Sequence, residues 1–233
     1  MPDSDRLYFR QLLSGRDFAR GDMFATQMRN FAYLIGDRQT GEAVVVDRPT
    51  PPGSARRART RRDAPVGVLV THHHPDHVGG TMMGFQLKGL SELLERTNVP
   101  VHVNTHEALW VSRVTGISMD DLTAHWHGDK VRVGDIEIEL LHTPGHTPGS
   151  QCFLLDGRLV AGTRCFWKAA GAPTFPAATP TRCTAACSSW PSCPATRQCF
   201  PGIGIRPSRV PRCRRSSAPT TSTAPRTWIS GEC

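Results

Sequence analysis

The chain has 233 residues, enough for one α/β domain with a substantial core, and a formal net charge of +8. The charge is unevenly distributed. Residues 1–163 carry 18 Lys and Arg against 19 Asp and Glu, whereas residues 164–233 carry ten basic residues and one acid. All ten histidines lie at or before His146, and seven of the eight cysteines follow residue 163. Because two compositions are joined, the overall charge does not predict a nucleic-acid-binding protein.

Membrane and secreted classes are also excluded. No apolar run reaches the length of about 18 residues that a membrane span requires. The N-terminal segment, residues 1–5, lacks the basic and apolar regions of a signal peptide. We therefore expect a cytoplasmic protein with no membrane partner.

Strand and helix patterns alternate through the first 162 residues. An apolar run at 66–70 is typical of a strand buried on both faces. The other predicted elements are, in chain order, strands at 31–35 and 43–46, a helix at 90–96 capped by Ser91, a strand at 99–103, a helix at 105–111, a hairpin at 131–141 turning at Gly134-Asp135, and a hairpin pairing 151–155 with 158–161. This order predicts an α/β fold with hairpins.

A histidine-rich motif follows the apolar run directly, in the order His72-x-His74-x-Asp76-His77. In an extended segment, residues i and i+2 face the same side, so His72 and His74 can converge on one metal while His73 points away. Pro75 turns the chain and brings the next two residues toward a second metal position. Imidazole and carboxylate are ligands that zinc accepts at neutral pH.

A second motif, T-P-G-H-T-P-G-S at residues 143–150, follows a later strand and contains His146. This histidine is well placed as a third ligand of the first metal. A solvated histidine cluster without a metal is the alternative interpretation. The two motifs together favour a metal site.

Over about residues 7–162, these motifs resemble the metallo-β-lactamase-fold hydrolases, especially the hydroxyacylglutathione hydrolase branch. The resemblance implies an αββα sandwich with a dinuclear zinc site at one sheet edge. It assigns His72, His74 and His146 to the first metal and Asp76 and His77 to the second, with Asp76 also orienting the nucleophile. The implied reaction is attack of a metal-activated water on a thioester or another ester-like bond of a small-molecule substrate. The oligomeric state is not predicted.

The sequence departs from the family pattern after residue 162. The family has a bridging Asp after a Gly and a final His in a Pro-Gly-His loop. Here Gly162 is followed by Thr163, and no histidine follows His146. The chain as printed is expected to keep one zinc at the three-histidine site, to bind metal weakly at the second, and to be impaired as an enzyme.

A frameshift accounts for this departure. Restoring one G after the Gly162 codon allows residues 163–181 to read D-T-L-F-L-E-G-C-G-R-T-D-F-P-G-G-D-P-D, and 199–206 to read V-F-P-G-H-(R/W)-Y-S. We therefore interpret residues 1–162 as a metallo-β-lactamase-like domain, locally out of frame at 48–65. Residues 163–233 are interpreted as the frameshifted remainder of that domain. An authentic basic tail is the alternative.

Two other functions stay open. One is a mononuclear iron enzyme resembling the persulfide dioxygenases, which need only a set such as two histidines and a carboxylate. The other is an inactive metal-binding protein or pseudogene product. The metal bound and the reaction it supports distinguish the three.

Overall fold

The structure, a computed structural model, describes residues 6–47, 65–162 and 198–200. Within these residues the chain forms four α-helices, thirteen strands and one 3-10 helix. In chain order they are β1 (Leu7–Leu13), α1 (Met23–Met28), β2 (Phe31–Asp37), β3 (Ala43–Val46), β4 (Pro65–Leu69), α2 (Pro75–Val78), β5 (Gly80–Met82), β6 (Phe85–Leu87), α3 (Leu90–Leu94), β7 (Val101–Asn104), α4 (Ala108–Thr115), the 3-10 helix (Met119–Asp121), β8 (Leu122–His125), β9 (Lys130–Val133), β10 (Ile136–His142), β11 (Gln151–Leu155), β12 (Arg158–Ala161) and β13 (Gln198–Phe200).

The first sheet has the strand order β1-β2-β3-β4-β7-β8. The pairs β1–β2 and β2–β3 are antiparallel. From β3 onward, each neighbouring pair is parallel. The carboxyl ends of β3, β4, β7 and β8 therefore lie at one edge of this sheet, and the segments that follow these strands meet there.

The second sheet has the order β13-β12-β11-β10-β9. Strands β9 to β12 form two antiparallel hairpins, which confirms the predicted turns at Gly134-Asp135 and Asp156-Gly157. Strand β13 pairs with β12 in parallel, in a part of the chain where the sequence shows no strand periodicity. A separate two-stranded sheet, β5–β6, follows α2 directly.

The main core lies between the two sheets, because one cluster of buried apolar side chains draws on both. Alternation along the strands produces this arrangement: in β10 and β11, every second residue faces the other sheet. Its largest fully buried members are Tyr33, Ile35 and Leu69 from the first sheet and Ile138, Leu140, Phe153 and Leu155 from the second.

The opposite face of the first sheet packs against helices. Val68 and Val70 point to this face, whereas Leu69 points into the core between the sheets. The run at 66–70 thus contributes apolar side chains to both faces of the sheet, as its sequence predicts. On the helical side, these residues meet Leu90 and Leu93 of α3 and other buried side chains.

The described residues confirm the mixed α/β fold class and its helix–sheet–sheet layering. Three predictions concern residues outside those described, apart from Pro65 and β13. They are the second helical layer, the two stretches proposed to be out of frame, and the domain division at residue 163. They stay predictions. Among the described helices, none has the length and apolar character needed to cross a membrane.

Two predicted elements differ in detail from the structure. Ser91 does not cap its helix, because Gly89 precedes that helix and the Ser91 hydroxyl donates to the Thr115 carbonyl instead. The helix expected at 105–111 begins at Ala108, because the Glu107 N–H closes a turn onto the Asn104 carbonyl. Strands β1, β5, β6 and β8 and helix α1 were not predicted from the sequence.

A partly buried histidine in β7, His102, makes the stability of this sheet sensitive to acid. Nδ1 of His102 lies 2.9 Å from Nε2 of His125 on the neighbouring strand β8. Burial, followed by the nearby His125, lowers the pKa of His102 to about 4. The unfolded chain binds this proton with a pKa of about 6.5. Protonation therefore favours the unfolded state, and the stabilisation is lost as the pH falls from about 6.5 through 4.

Replacing this histidine should flatten the acid dependence of stability. We expect the free energy of unfolding of His102→Gln to fall less than that of the parent chain between pH 7 and pH 4.5, since the titrating group is gone. Urea unfolding at the two pH values measures this difference. Equal losses in the two proteins would contradict the assignment to His102.

Candidate metal centre

Three histidines predicted to share a metal lie together at the edge where the parallel strands end. His72 and His74 follow β4, and His146 lies in the loop between β10 and β11. Their potential ligand atoms all lie within 4.8 Å of one another. Nε2 of His146 is 3.0 Å from Nδ1 of His74, close to the separation of about 3.4 Å between two nitrogens on a tetrahedral zinc ion. This cluster can therefore hold one metal ion.

The protonation states of these histidines suit metal binding. Burial is the largest cause that lowers the pKa of each ring, and neighbouring histidines lower it further. The pKa of His72 lies well below its ordinary value, and that of His146 falls to about 4. The three imidazoles are therefore neutral at pH 7, the form that binds a metal. Neutral nitrogen donors of this kind fit zinc or iron.

The two residues predicted for a second metal lie beside this cluster. Helix α2 begins at Pro75, a residue suited to the first helical position, and places both side chains at the edge of the cluster. The ring of His77 lies 4.2 Å from that of His72, measured between centroids. Oδ2 of Asp76 lies 3.5 Å from Nε2 of His77. All five predicted ligands therefore converge, and His73 points elsewhere, as the spacing predicts.

The carboxylate of Asp76 is held in place by Asn30, which precedes β2. Nδ2 of Asn30 donates to Oδ2 of Asp76 at 2.8 Å and to its main-chain carbonyl at 3.2 Å. Burial raises the pKa of Asp76, but nearby His77 and the hydrogen bond from Asn30 outweigh it and lower the pKa overall. The carboxylate is therefore ionised at neutral pH. Asn30 was not predicted from the sequence as a site residue.

A second carboxylate beside the cluster, that of Asp47, accepts hydrogen bonds from Thr71 and His77. It directly follows β3, has a positive φ of 55° and is 3% exposed. Oδ1 accepts the N–H of Thr71 at 2.7 Å. Oδ2 accepts the Thr71 hydroxyl at 2.7 Å and Nδ1 of His77 at 2.8 Å. One side chain therefore fixes both the strand end and a predicted ligand.

This network assigns the ring nitrogens that carry protons. The Thr71 hydroxyl donates to Asp47, so its oxygen accepts a hydrogen bond from the Nδ1–H of His72, 3.0 Å away. Nδ1 of His77 donates to the same carboxylate. In both rings Nε2 is thus the nitrogen suited to binding a metal. Asp47 directly follows the strand next to β4. Its position could point to the site only if the strand order were known.

Removing the charge of Asp47 should weaken metal binding. We expect Asp47→Asn to raise the Kd for Zn²⁺ roughly 10- to 100-fold, because the amide cannot accept all three donors and the rings lose their fixed tautomer. Competition with a chromophoric chelator measures this Kd.

Asp37→Asn is the matched control. Asp37 is buried and accepts Nε of Arg6 at 2.8 Å, but it ends β2 at the opposite edge of the sheet. Its replacement should lower stability without changing the Kd for zinc. Equal effects of the two variants on the Kd would contradict the role of Asp47.

The model of the metallo-beta-lactamase superfamily matches residues 25–160, more than half of the chain. A hydroxyacylglutathione hydrolase of Bradyrhizobium sp. (strain ORS 278) is 34% identical over 134 residues, which cover 58% of this chain and 46% of that protein. A mitochondrial persulfide dioxygenase ETHE1 of Bos taurus is 29% identical over 157 residues, covering 64% and 53% respectively.

A solved structure extends the comparison to the fold. The crystal structure of ETHE1 from Myxococcus xanthus matches with a TM-score of 0.59 and 25% identity, covering 88% of this chain and 80% of that one. The chain spans about half the length of the two curated relatives named above. The family match coincides with the segment that carries the histidine motif and the loop of His146. The chain therefore belongs to the metallo-β-lactamase superfamily.

Proposed function

We propose that the protein is a metal-dependent hydrolase that cleaves a thioester or another ester-like bond of a small molecule. The observation that carries this proposal is the convergence of three neutral imidazoles beside an ionised carboxylate, Asp76. The similarity to a hydroxyacylglutathione hydrolase at 34% identity supports the same class of reaction. The cytoplasmic location expected from the sequence stays a prediction.

The donor set suits Zn²⁺, with His72, His74 and His146 as its ligands. When bound, zinc supplies Lewis-acid stabilisation of a carbonyl oxygen and lowers the pKa of water toward neutrality. Asp76 and His77 are proposed to belong to a second metal position. The family pattern completes this position with an Asp and a His after residue 162, and the printed sequence has Thr163 in place of that Asp and no later His. This position should therefore bind metal weakly in the chain as printed.

Asp76 is the proposed catalytic residue. Its carboxylate is 7% exposed and is oriented by Asn30, so it can accept a hydrogen bond from the attacking water and hold that water in line with the substrate carbonyl. The hydrogen bond to Oδ2 restrains the rotation of the side chain. Nε2 of His77 lies 3.5 Å from the same oxygen.

A second candidate is an iron-dependent oxidation of a persulfide by molecular oxygen. The similarity to the bovine persulfide dioxygenase and to the ETHE1 structure of Myxococcus xanthus favours it. In the described part of the chain, the three histidines form the one cluster identified as able to hold a metal, which suits a mononuclear centre. The third candidate is an inactive metal-binding product, in keeping with the impairment expected for residues 163–233.

The reaction can be tested with two proteins, the chain as printed and a chain whose frame is restored after Gly162. Each is freed of metal, reloaded with Zn²⁺ or Fe²⁺, and assayed for thioester hydrolysis and for oxygen uptake with a persulfide. We expect zinc-dependent hydrolysis in the restored chain and much lower turnover in the printed one. Asp76→Asn should lower kcat of the restored chain by roughly 100-fold or more.

Other outcomes select the other candidates. Oxygen uptake with iron and no hydrolysis would favour the dioxygenase. Turnover in neither protein with either metal would favour the inactive product. Equal turnover in the two proteins would contradict the expected impairment while leaving the hydrolase assignment intact.

A further inference from the structure

A third buried carboxylate, Glu107, is bound by four donors. It lies between β7 and α4 and is 1% exposed. Oε2 accepts the N–H of His73 at 2.8 Å and faces its Nδ1 at 2.5 Å. Oε1 accepts the Thr147 hydroxyl at 2.6 Å and the N–H of Gly149 at 2.7 Å. Each carboxylate oxygen thus contacts two donors.

The two oxygens contact different loops. His73 stands between His72 and His74, and Thr147 directly follows His146. We propose that Glu107 is a positioning residue of the metal centre: its carboxylate sets the distance between the loop that carries the first two ligands and the loop that carries the third. This proposal rests on the metal site inferred above and adds a residue whose hydrogen-bond donors belong to His73, Thr147 and Gly149, which are not proposed ligands.

The packing around Gly149 supports a close junction. A Cβ atom at this position would lie 2.5 Å from Cγ of Glu107 and 2.7 Å from its main-chain nitrogen. Only a residue without a side chain allows the second loop to approach this closely. Within that loop, the Thr147 and Ser150 hydroxyls lie 2.7 Å apart and the N–H of Thr147 donates to Ser150, so the loop is braced internally.

The charge of Glu107 is needed for this role. Burial raises its pKa, but hydrogen bonds from His73 and Thr147, together with the nearby His73 and the N–H of Gly149, hold the pKa below its ordinary value. Hydrogen bonds to an ionised acceptor are shorter and stronger than neutral ones. A glutamine would keep one oxygen for one loop but would turn its NH₂ group toward the donors of the other. The junction would then contain unsatisfied buried donors.

The same geometry explains the middle histidine of the motif. The ring of His73 stacks on Trp110 of α4, with centroids 5.7 Å apart and planes at 27°. Nδ1 of His73 contacts Oε2 of Glu107. This histidine therefore joins the ligand loop to α4 instead of facing the proposed metal position. His73→Phe should keep the stacking and the main-chain hydrogen bond while removing one donor. We expect a smaller effect from this variant than from replacement of Glu107.

The test is Glu107→Gln, with Asp37→Asn as the matched control. Asp37 is equally buried, and its Oδ2 accepts the N–H of Asp135 at 2.9 Å, so it also joins two segments, but at the opposite edge of the sheet. We expect Glu107→Gln to raise the Kd for Zn²⁺ roughly 10-fold or more and to change the visible spectrum of bound Co²⁺. The control should change neither. A purely structural role would lower only the unfolding temperature.

A second variant keeps the proposal testable if Glu107→Gln does not fold. Gly149→Ala leaves every ionisable group in place but pushes the loop away from Glu107. Like Glu107→Gln, it should therefore raise the Kd for Zn²⁺ and change the spectrum of bound Co²⁺. An unchanged Kd and spectrum in folded Glu107→Gln, or in Gly149→Ala, would overturn the positioning role alone. A parent chain that binds zinc no more tightly than His74→Ala would overturn the metal site and the positioning role together.

Discussion

Three neighbouring parallel strands, β3, β4 and β7, end at one edge of the first sheet, and the metal centre depends on this order. Asp47 follows the first strand, the histidine motif follows the second, and Glu107 lies three residues beyond the third. Groups that are far apart in sequence therefore meet because their strands are neighbours. This is the crevice outside the carboxyl ends of the strands, where open α/β sheets commonly bind ligands.

The buried charges around the centre have complementary tasks. Asp47 contacts Thr71 and His77, and through Thr71 it orients the ring of His72. Glu107 contacts the segments beside the ligands and joins the two loops. Burial, together with the neighbouring histidines, keeps the imidazoles between these carboxylates neutral. A metal cation bound there would not have to displace protons from its ligands at neutral pH.

The sequence predicted those features that depend on local spacing. The alternation of His72, His73 and His74 predicted which rings converge, and the Asp156-Gly157 turn predicted its hairpin. The supporting carboxylates were missed, because an acid after a strand looks like a surface residue until the strand order is known. Asp47 contacts the end of β4 across 24 positions of sequence. Glu107 contacts the two ligand loops across 34 to 42 positions. No local pattern encodes such pairings.

The central claim is that one metal ion binds to three histidines at this edge, and X-ray absorption of the zinc-loaded chain tests it most directly. The seven cysteines after residue 163 make the measurement decisive, since they are the competing ligands. We predict one zinc per chain with nitrogen neighbours at about 2.0–2.1 Å, three of them imidazoles, and loss of this signal in His146→Ala. Sulfur neighbours at about 2.3 Å, or a signal unchanged in His146→Ala, would contradict the account.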